Sequence, residues 1–318
     1  MRLLILGGTV FLGHAIAAEA VRRGHDVTCV ARGSTNGAPA PLIRIDRDDP
    51  DGLAPLAGEH FDAVIDLAKM SYPHVRRAVE TIRTDHWSFV SSISVYAEHV
   101  TGRVDDPVFE PVESANDPEN YGAIKVASEN AVRTVWGSDA FIVRAGLITG
   151  HGDVSDRFGY WPARLADTGQ VVVPDALDQP AHYIDVADLA TWILAGAEQR
   201  LGGTFNAAGL PTPLGSLLAE IASVAGGDGE LVPVAPDKLV ELGVQYWAGP
   251  KSLPLWPPPG HIIGANWDVR PAIDAGLRYR PAVDAIASAL AYERSLGLDR
   301  PRNAGLTRTE EAEVLSLN

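Results

Sequence analysis

Short apolar runs recur along the first half of the chain, at Leu3 to Leu6, Asp26 to Ala31, Leu42 to Ile45, Ala63 to Leu67, Trp87 to Ser91 and Phe141 to Arg144, with helical patterning between several of them. This alternation predicts an α/β fold with a doubly wound parallel sheet. Continuous apolar runs such as Ile5-Leu6 and Ala63-Val64-Ile65 fit strands covered on both faces. Helix starts are signalled at Asp117, followed by Pro118 and Glu119, and at Asp185, ahead of Val186 to Gln199. Thr307-Arg308-Thr309-Glu310 has the form of a capping box for a short last helix.

From about residue 151 the alternation stops, and Gly, Pro and Trp accumulate across Tyr246 to Trp256 and Pro257-Pro258-Pro259-Gly260. The expected organisation is a sheet-bearing α/β domain over 1–150, with 181–208 returning to it through a short strand at Thr204 to Ala207. A smaller C-terminal substrate lobe is then built from separated segments, 151–180 and 209–300, and 301–318 is a tail carrying a short helix.

The 318 residues are 46% hydrophobic and 21% charged, ordinary values for a folded soluble chain that exclude disorder and a collagen-like repeat. With 26 basic against 41 acidic residues the formal charge is -15, which opposes attraction to a phosphate backbone. Cys29, the one cysteine, sits in an apolar run and reads as a buried thiol; no disulfide within the chain can form. Arg2 followed by Leu3 to Leu6, with Ala18-Glu19-Ala20 further on, superficially resembles a signal peptide, but Gly7, Gly8 and Gly13 interrupt the run. No stretch has the roughly 18 apolar residues of a membrane span, so a cytoplasmic location is expected.

Chemistry enters first at Gly7-Gly8-Thr9-Val10-Phe11-Leu12-Gly13, where a strand feeds a glycine turn and then a helix. A helix N-terminus offers unpaired amides and a partial positive charge, and glycines let the backbone approach a pyrophosphate, as in a Rossmann fold. About 20 residues further on, where an NAD-preferring fold carries an acid for the ribose 2'-hydroxyl, the chain has Arg32 instead, with Ser34 and Thr35. These residues favour NADP over NAD, the 2'-phosphate taking the place of the hydroxyl.

Tyr121-Gly122-Ala123-Ile124-Lys125 places a phenol and an ammonium one helical turn apart. A tyrosine with a pKa near ~10 exchanges a proton at neutral pH only if a nearby cation favours its phenolate, and Lys125 supplies that charge. With eight tyrosines and four lysines in the chain, this spacing is expected by chance only about 0.1 times. Upstream, Phe89-Val90-Ser91-Ser92-Ile93-Ser94-Val95-Tyr96 carries a buried strand into a cluster of hydroxyls at the sheet edge where ligands bind. One of them could donate to a carbonyl oxygen on which negative charge develops.

At this point the chain resembles the extended short-chain dehydrogenase/reductases, the NAD-dependent epimerase/dehydratase family. The resemblance rests on the glycine turn, Asp46 after the third strand, Leu67-Ala68 after the fourth, Ser92 to Tyr96, Tyr121 to Lys125, and Tyr183-Ile184-Asp185-Val186-Ala187-Asp188-Leu189-Ala190. It implies that Ser92, four residues before Tyr96, is the catalytic hydroxyl, with Tyr121 the proton donor or acceptor and Lys125 the residue that holds the nicotinamide ribose. It also implies that Gly7 to Gly13, Asp46 with Arg47, Leu67, Ala68 and Ser91 border the dinucleotide.

The departures bear on substrate. Val10 stands where the family usually has its middle glycine. Ser92-Ile93-Ser94 replaces the Thr-Asp-Glu of the dehydratases, so elimination of water lacks its acid-base pair. Leu147 and Ala181 replace the asparagine and arginine that usually hold the diphosphate of nucleotide sugars, and leucine cannot replace a hydrogen-bonding amide. Lys69, Ser94, Leu147, Tyr160, Trp161, Ala181 and His182 are the candidate substrate contacts.

The reading is an NAD(P)-dependent oxidoreductase that interconverts a secondary alcohol and a ketone on a small organic molecule. The expected partner is that substrate, with no nucleic acid, no membrane and no metal; a homodimer stays open. Two rivals are carried. One is epimerisation of a sugar or sugar nucleotide by the same residues. The other is an RNA-binding Rossmann protein, since Gly7-Gly8-Thr9 with Phe11-Leu12-Gly13 also resembles chloroplast stem-loop RNA-binding relatives.

Overall fold

The computed structural model describes residues 1–33, 37–97, 101–261 and 266–317. Two compact units divide the chain: Met1–Gly146 with Val186–Ala208 and Trp267–Arg278, and Leu147–Asp185 with Gly209–Asn266 and Tyr279–Asn318.

Seven strands of the first unit make up its main sheet, β1 Arg2–Leu6, β2 Asp26–Ala31, β3 Leu42–Arg44, β4 Ala63–Asp66, β5 Trp87–Ser92, β6 Phe141–Ala145 and β7 Gly203–Ala207. They form one parallel sheet in the order β7-β6-β5-β4-β1-β2-β3. The helices that accompany it include α1 Phe11–Arg22, α2 Tyr72–Thr81, α3 Tyr121–Trp136 and α4 Val186–Glu198. Side chains alternate across a strand, so Leu4, Leu6, Val30, Val64 and Phe89 share one face, where they meet Val75, Ala78 and Val79 of α2 and Val132 of α3. The intervening Leu3, Ile5 and Ile65 are buried as well, which is why these strands read as unbroken apolar runs. Helices α1 and α4 pack together and are tied by Arg23 and His25, both bonded to Glu198 at 2.7 Å. The sheet of the first unit is therefore of the expected doubly wound class.

The segment boundaries differ from the sequence reading in three places. Residues Trp267–Arg278, expected in the smaller lobe, belong to the first unit: Trp267 stacks on Tyr96 at 5.1 Å, the Asp268 amide donates to the Gly102 carbonyl, and Trp192 Nε1 donates to the Ala275 carbonyl. Residues 147–150 and 181–185 instead belong to the second unit, because Ile148–Thr149 pairs in parallel with Ile184–Asp185. The tail is no appendage. Its helix Arg308–Leu317 buries Val314 and Glu311, and Glu311 pairs with the equally buried Arg164 at 2.8 Å. The capping box forms there, Thr307 N donating to Glu310 Oε2 and Glu310 N to Thr307 Oγ1.

Gly196 of α4 tests how tightly helix and sheet meet. A Cβ there would lie 2.3 Å from Phe141 Cε1, and that ring is wedged edge-on against Trp192 and Phe205 and cannot swing aside. Alanine gains ~1 kcal/mol of helix propensity but overpacks a full core at a cost of ~1–3 kcal/mol. Gly196→Ala should therefore lower the thermal midpoint of the protein, and a rise would show that the helix can shift outward freely.

Candidate active site

Parallel pairing gathers the carboxyl ends of β1, β2, β4 and β5 along one edge of the first unit. At the end of β1 the Gly7 amide donates to the Val30 carbonyl at 2.8 Å, and Gly7 has a φ of +100°. A Cβ on Gly13 would lie 2.1 Å from the Gly7 carbonyl oxygen, and one on Gly8 would meet Cys29 Sγ at 2.7 Å. The start of α1 is thus seated directly on the turn. Its N-cap, Val10, offers no side-chain acceptor to the first-turn amides, and its own side chain is 53% exposed. Phe11 follows at φ +40°, a region bulky residues rarely enter, at a cost of ~1–3 kcal/mol. An uncapped helix N-terminus over a turn that tolerates no Cβ fits a pyrophosphate, with Thr9 to Leu12 supplying the amides and Val10 turned outward rather than into the turn.

Burial rather than exposure distinguishes Lys125. It lies on α3 one turn after Tyr121, is 3% exposed, and donates from Nζ to the carbonyls of Ala68 and Val90, each at 2.7 Å. The ring of Phe89 lies beneath the ammonium at 4.8 Å. Desolvation pushes its pKa down to about 8 against the opposing pull of Asp66 and Glu129, while Lys69, exposed just beyond Ala68, adds a like charge. An ammonium has three protons; two go to the carbonyls of Ala68 and Val90, and among the described residues the third has no acceptor.

The Ala68 turn is itself braced. Its amide donates to Asp66 Oδ1, and the fully buried Asp66 receives both Nη atoms of Arg47, at 2.8 and 2.9 Å. Arg47 also donates to the His74 carbonyl. The sequence reading has Arg47 border the dinucleotide; in the structure its guanidinium is turned onto the Asp66 carboxylate. Asp46 is exposed and accepts the Asp48 amide, Leu67 lies beside Gly7, and Arg32 is exposed at the end of β2. Ser34 lies outside the described residues.

The three serines at the end of β5 separate into distinct tasks. Ser91 Oγ donates to Glu129 Oε1 at 2.6 Å, so its hydroxyl is committed inward. Ser92 Oγ accepts the Ser94 amide and donates to Ser94 Oγ, both at 3.1 Å, leaving a polarised hydroxyl at the strand end. Helix α3 arrives directly over this turn: a Cβ on Gly122 would lie 2.1 Å from the Ser94 carbonyl oxygen. Gly122 thus sets how near Tyr121 comes to Ser92 and Ser94. The sequence reading gives Gly122 no role, although a glycine inside a helical tyrosine-lysine spacing is itself a signal of close approach.

Behind the serines, Glu129 also accepts Arg144 Nε and Nη2 and Arg133 Nη2, at 2.8–3.0 Å. Burial would raise its pKa, but the hydrogen bonds and charge of Arg144, then Arg133, hold it below the usual carboxylate range. Arg144 lies over the Tyr96 ring at 4.7 Å, and Tyr96 donates to Asn206 Oδ1 at 2.6 Å. None of this network is expected from the sequence, since its members are dispersed from Ser91 to Asn206.

In the second unit, Leu147, Tyr160, Trp161 and Ala181 join one buried apolar cluster. Tyr160 and Trp161, expected to line a substrate cavity, are core residues: Trp161 Nε1 donates to the Pro254 carbonyl and the Tyr160 ring covers Gly305. Leu147 and Ala181, 6% and 3% exposed, are packed rather than open. His182 Nδ1 bonds the Gly209 carbonyl at 3.2 Å, and its buried Nε2 has no partner among the described residues. Among those residues no group of three or more His, Cys, Asp or Glu could hold a metal ion, and no helix is long and apolar enough to cross a membrane.

A glycine turn under an uncapped helix, at the sheet edge that also carries Ser92 and Lys125, is the arrangement of a Rossmann-type α/β unit. A model of the NAD dependent epimerase/dehydratase family matches residues 3–208, and the chain belongs to that family. It is 27% identical to the "Probable low-salt glycan biosynthesis reductase" of Haloferax volcanii, over 73% of this chain and 83% of that protein. It is 26% identical to a chloroplast stem-loop binding protein of Arabidopsis thaliana, over 71% of this chain and 63% of that one. The UDP-glucose 4-epimerase of Thermus thermophilus, solved with NAD, shares the fold at a TM-score of 0.65 and 17% identity, over 92% of this chain and 99% of its own.

Two outcomes check this geometry. Gly122→Ala should lower kcat at least about tenfold by displacing Tyr121 from the serine turn, with dinucleotide affinity within about twofold; unchanged kcat would show that the helix start is not constrained. For Lys125, the folded chain releases its proton near pH 8, whereas an unfolded lysine keeps it to ~10.4. Between those values the unfolded chain binds more protons, so the burden of the buried charge lifts as pH rises. Comparing wild type with Lys125→Met, the wild type should gain thermal midpoint relative to the variant between about pH 8 and 10; parallel curves would place the lysine outside this environment.

Proposed function

We propose that this chain is an NADP-using oxidoreductase that interconverts a secondary alcohol and a ketone on a small, partly apolar organic molecule. The single observation that carries the reading is the buried Lys125 ammonium, held on two carbonyls with one proton to spare, one helical turn from Tyr121. A bound nicotinamide would supply hydride exchange with the substrate carbon. Tyr121 exchanges a proton with the substrate oxygen, and the neighbouring Lys125 charge favours its phenolate. Ser92, fixed by the Ser94 amide, turns its proton from Ser94 Oγ to that oxygen and offsets the negative charge that develops there.

Reduction or oxidation is preferred to epimerisation of a nucleotide sugar because Leu147 and Ala181 are both apolar and packed, offering no partner for a diphosphate. A relative named as a reductase agrees with this preference. NADP follows from Arg32 at the end of β2, where an acid would serve NAD. RNA binding, suggested by the printed name of the Arabidopsis relative, is disfavoured by the charge of -15.

Tyr121→Phe should abolish turnover in a carbonyl-substrate screen with NADPH while leaving dinucleotide binding within a few fold, since it removes one oxygen remote from the pyrophosphate. Undiminished turnover would end this mechanism. Uridine and thymidine diphosphate sugars should bind only in the millimolar range. Two missing charge-assisted contacts at about 1.5–3 kcal/mol each weaken binding by roughly two to four orders of magnitude. Calorimetric titration with cofactor bound measures this, and micromolar affinity would favour epimerisation.

A further inference from the structure

A second arginine stands beside Arg32. In the β2–β3 register Ala31 is opposite Arg44, and the Ile45 amide donates to the Ala31 carbonyl, so the side chain of Arg44 emerges next to the turn that follows β2. It lies across the bare face of Gly33: a Cβ there would meet Arg44 Nε at 2.6 Å, Cδ at 3.0 Å and Cγ at 3.2 Å. Gly33 also has a φ of +81°, which a side chain would strain.

Several arginines of this unit end on carboxylates, as Arg2 does on Glu59, Arg22 on Glu19, Arg23 on Glu198 and Arg47 on Asp66. Arg32 and Arg44 are both exposed, and among the described residues neither has an ion-pair or hydrogen-bond partner. Two solvent-facing guanidinium groups at the same strand end, in a chain with 41 acidic residues, are available to an anion. The place selects the anion. The strand end is bonded to the glycine turn through Gly7 N and the Val30 carbonyl, which sets it where the 2' position of an adenosine ribose lies in this fold class. A phosphate monoester with a charge of about -1.5 to -2 suits two guanidinium groups, each able to form paired hydrogen bonds to it.

We propose that Arg44, reaching across Gly33 beside Arg32, is a second ligand of the 2'-phosphate of NADP and that Gly33 is needed to admit it. This rests on the NADP reading above. Its test is calorimetric titration of the full chain with NADP+ and with NAD+, for wild type, Arg32→Ala, Arg44→Ala, Arg44→Gln and Gly33→Ala. Wild type should bind NADP+ more tightly than NAD+. Either Arg44 variant should weaken NADP+ at least about tenfold, the worth of one charge-assisted bond, while NAD+ changes less than about twofold. Gly33→Ala should weaken NADP+ in the same direction, and added salt should narrow the wild-type preference more than that of the Arg44 variants. If Arg32→Ala loses NADP+ selectively and the Arg44 variants do not, the role of Arg44 is overturned and the cofactor reading stands. If wild type has no preference for NADP+, both fall.

Discussion

A positive charge buried at the carboxyl edge of the sheet is the constraint on which this site depends. Lys125 cannot be placed there without acceptors, and the strand ends provide them as main-chain carbonyls of Ala68 and Val90. The price is a chain of supports: Arg47 holds Asp66, Asp66 holds the Ala68 amide, and the Ala68 carbonyl holds the ammonium. A residue three positions after a strand on one side of the sheet thereby fixes the orientation of a charge on a helix that begins more than fifty residues later. Main-chain acceptors suit this purpose because they do not titrate, so the position of the ammonium is independent of any neighbouring proton.

A second buried charge group backs the first. Glu129 lies one turn beyond Lys125 on α3, and its pairing with Arg144 spans from that helix to β6 while receiving Ser91 from β5. Removing one partner of such a pair costs ~3–5 kcal/mol because the other is left uncompensated. The same group reaches the loop that follows Tyr96: Arg144 Nη1 donates to the Val104 carbonyl and Asn206 Nδ2 to that of Gly102. Helix, serine turn and loop are therefore held in one arrangement rather than three independent ones.

What is legible in the sequence is what depends on neighbours along the chain. The strands can be read because each is short and apolar, and the Tyr121–Lys125 spacing because a helix places those residues on one face. The pairing of Arg47 with Asp66 is not legible, because the two are brought together only by the order of the strands, and a charge near a strand end looks the same whether it faces a ligand or a buried carboxylate. Tyr160 and Trp161 are misread for the converse reason: aromatic residues suit a cavity lining and a core equally well, and only packing tells them apart. Gly122 and Gly33 matter for what approaches them, which no local pattern records. The segment Trp267–Arg278 joins the sheet unit through the stacking of Trp267 on Tyr96 and a few hydrogen bonds, too little to leave a trace in composition.

Neither unit is continuous in the chain, and this governs the order in which the protein can be completed during synthesis. The first six strands of the sheet and the Lys125 helix emerge early, but β7 and the Trp267–Arg278 segment that covers Tyr96 follow only after part or most of the second unit has been made. The second unit in turn waits for Glu311 to neutralise Arg164. Until Gly203–Ala207 has been made, β6 presents an unpaired edge of the kind that invites wrong strand pairing, and until Glu311 has been made Arg164 lacks its acid. The two units therefore interleave in the order of synthesis: the first cannot be completed until Leu147–Asp185 and Gly209–Asn266 of the second have been made, and the second closes only with the segment after Arg278.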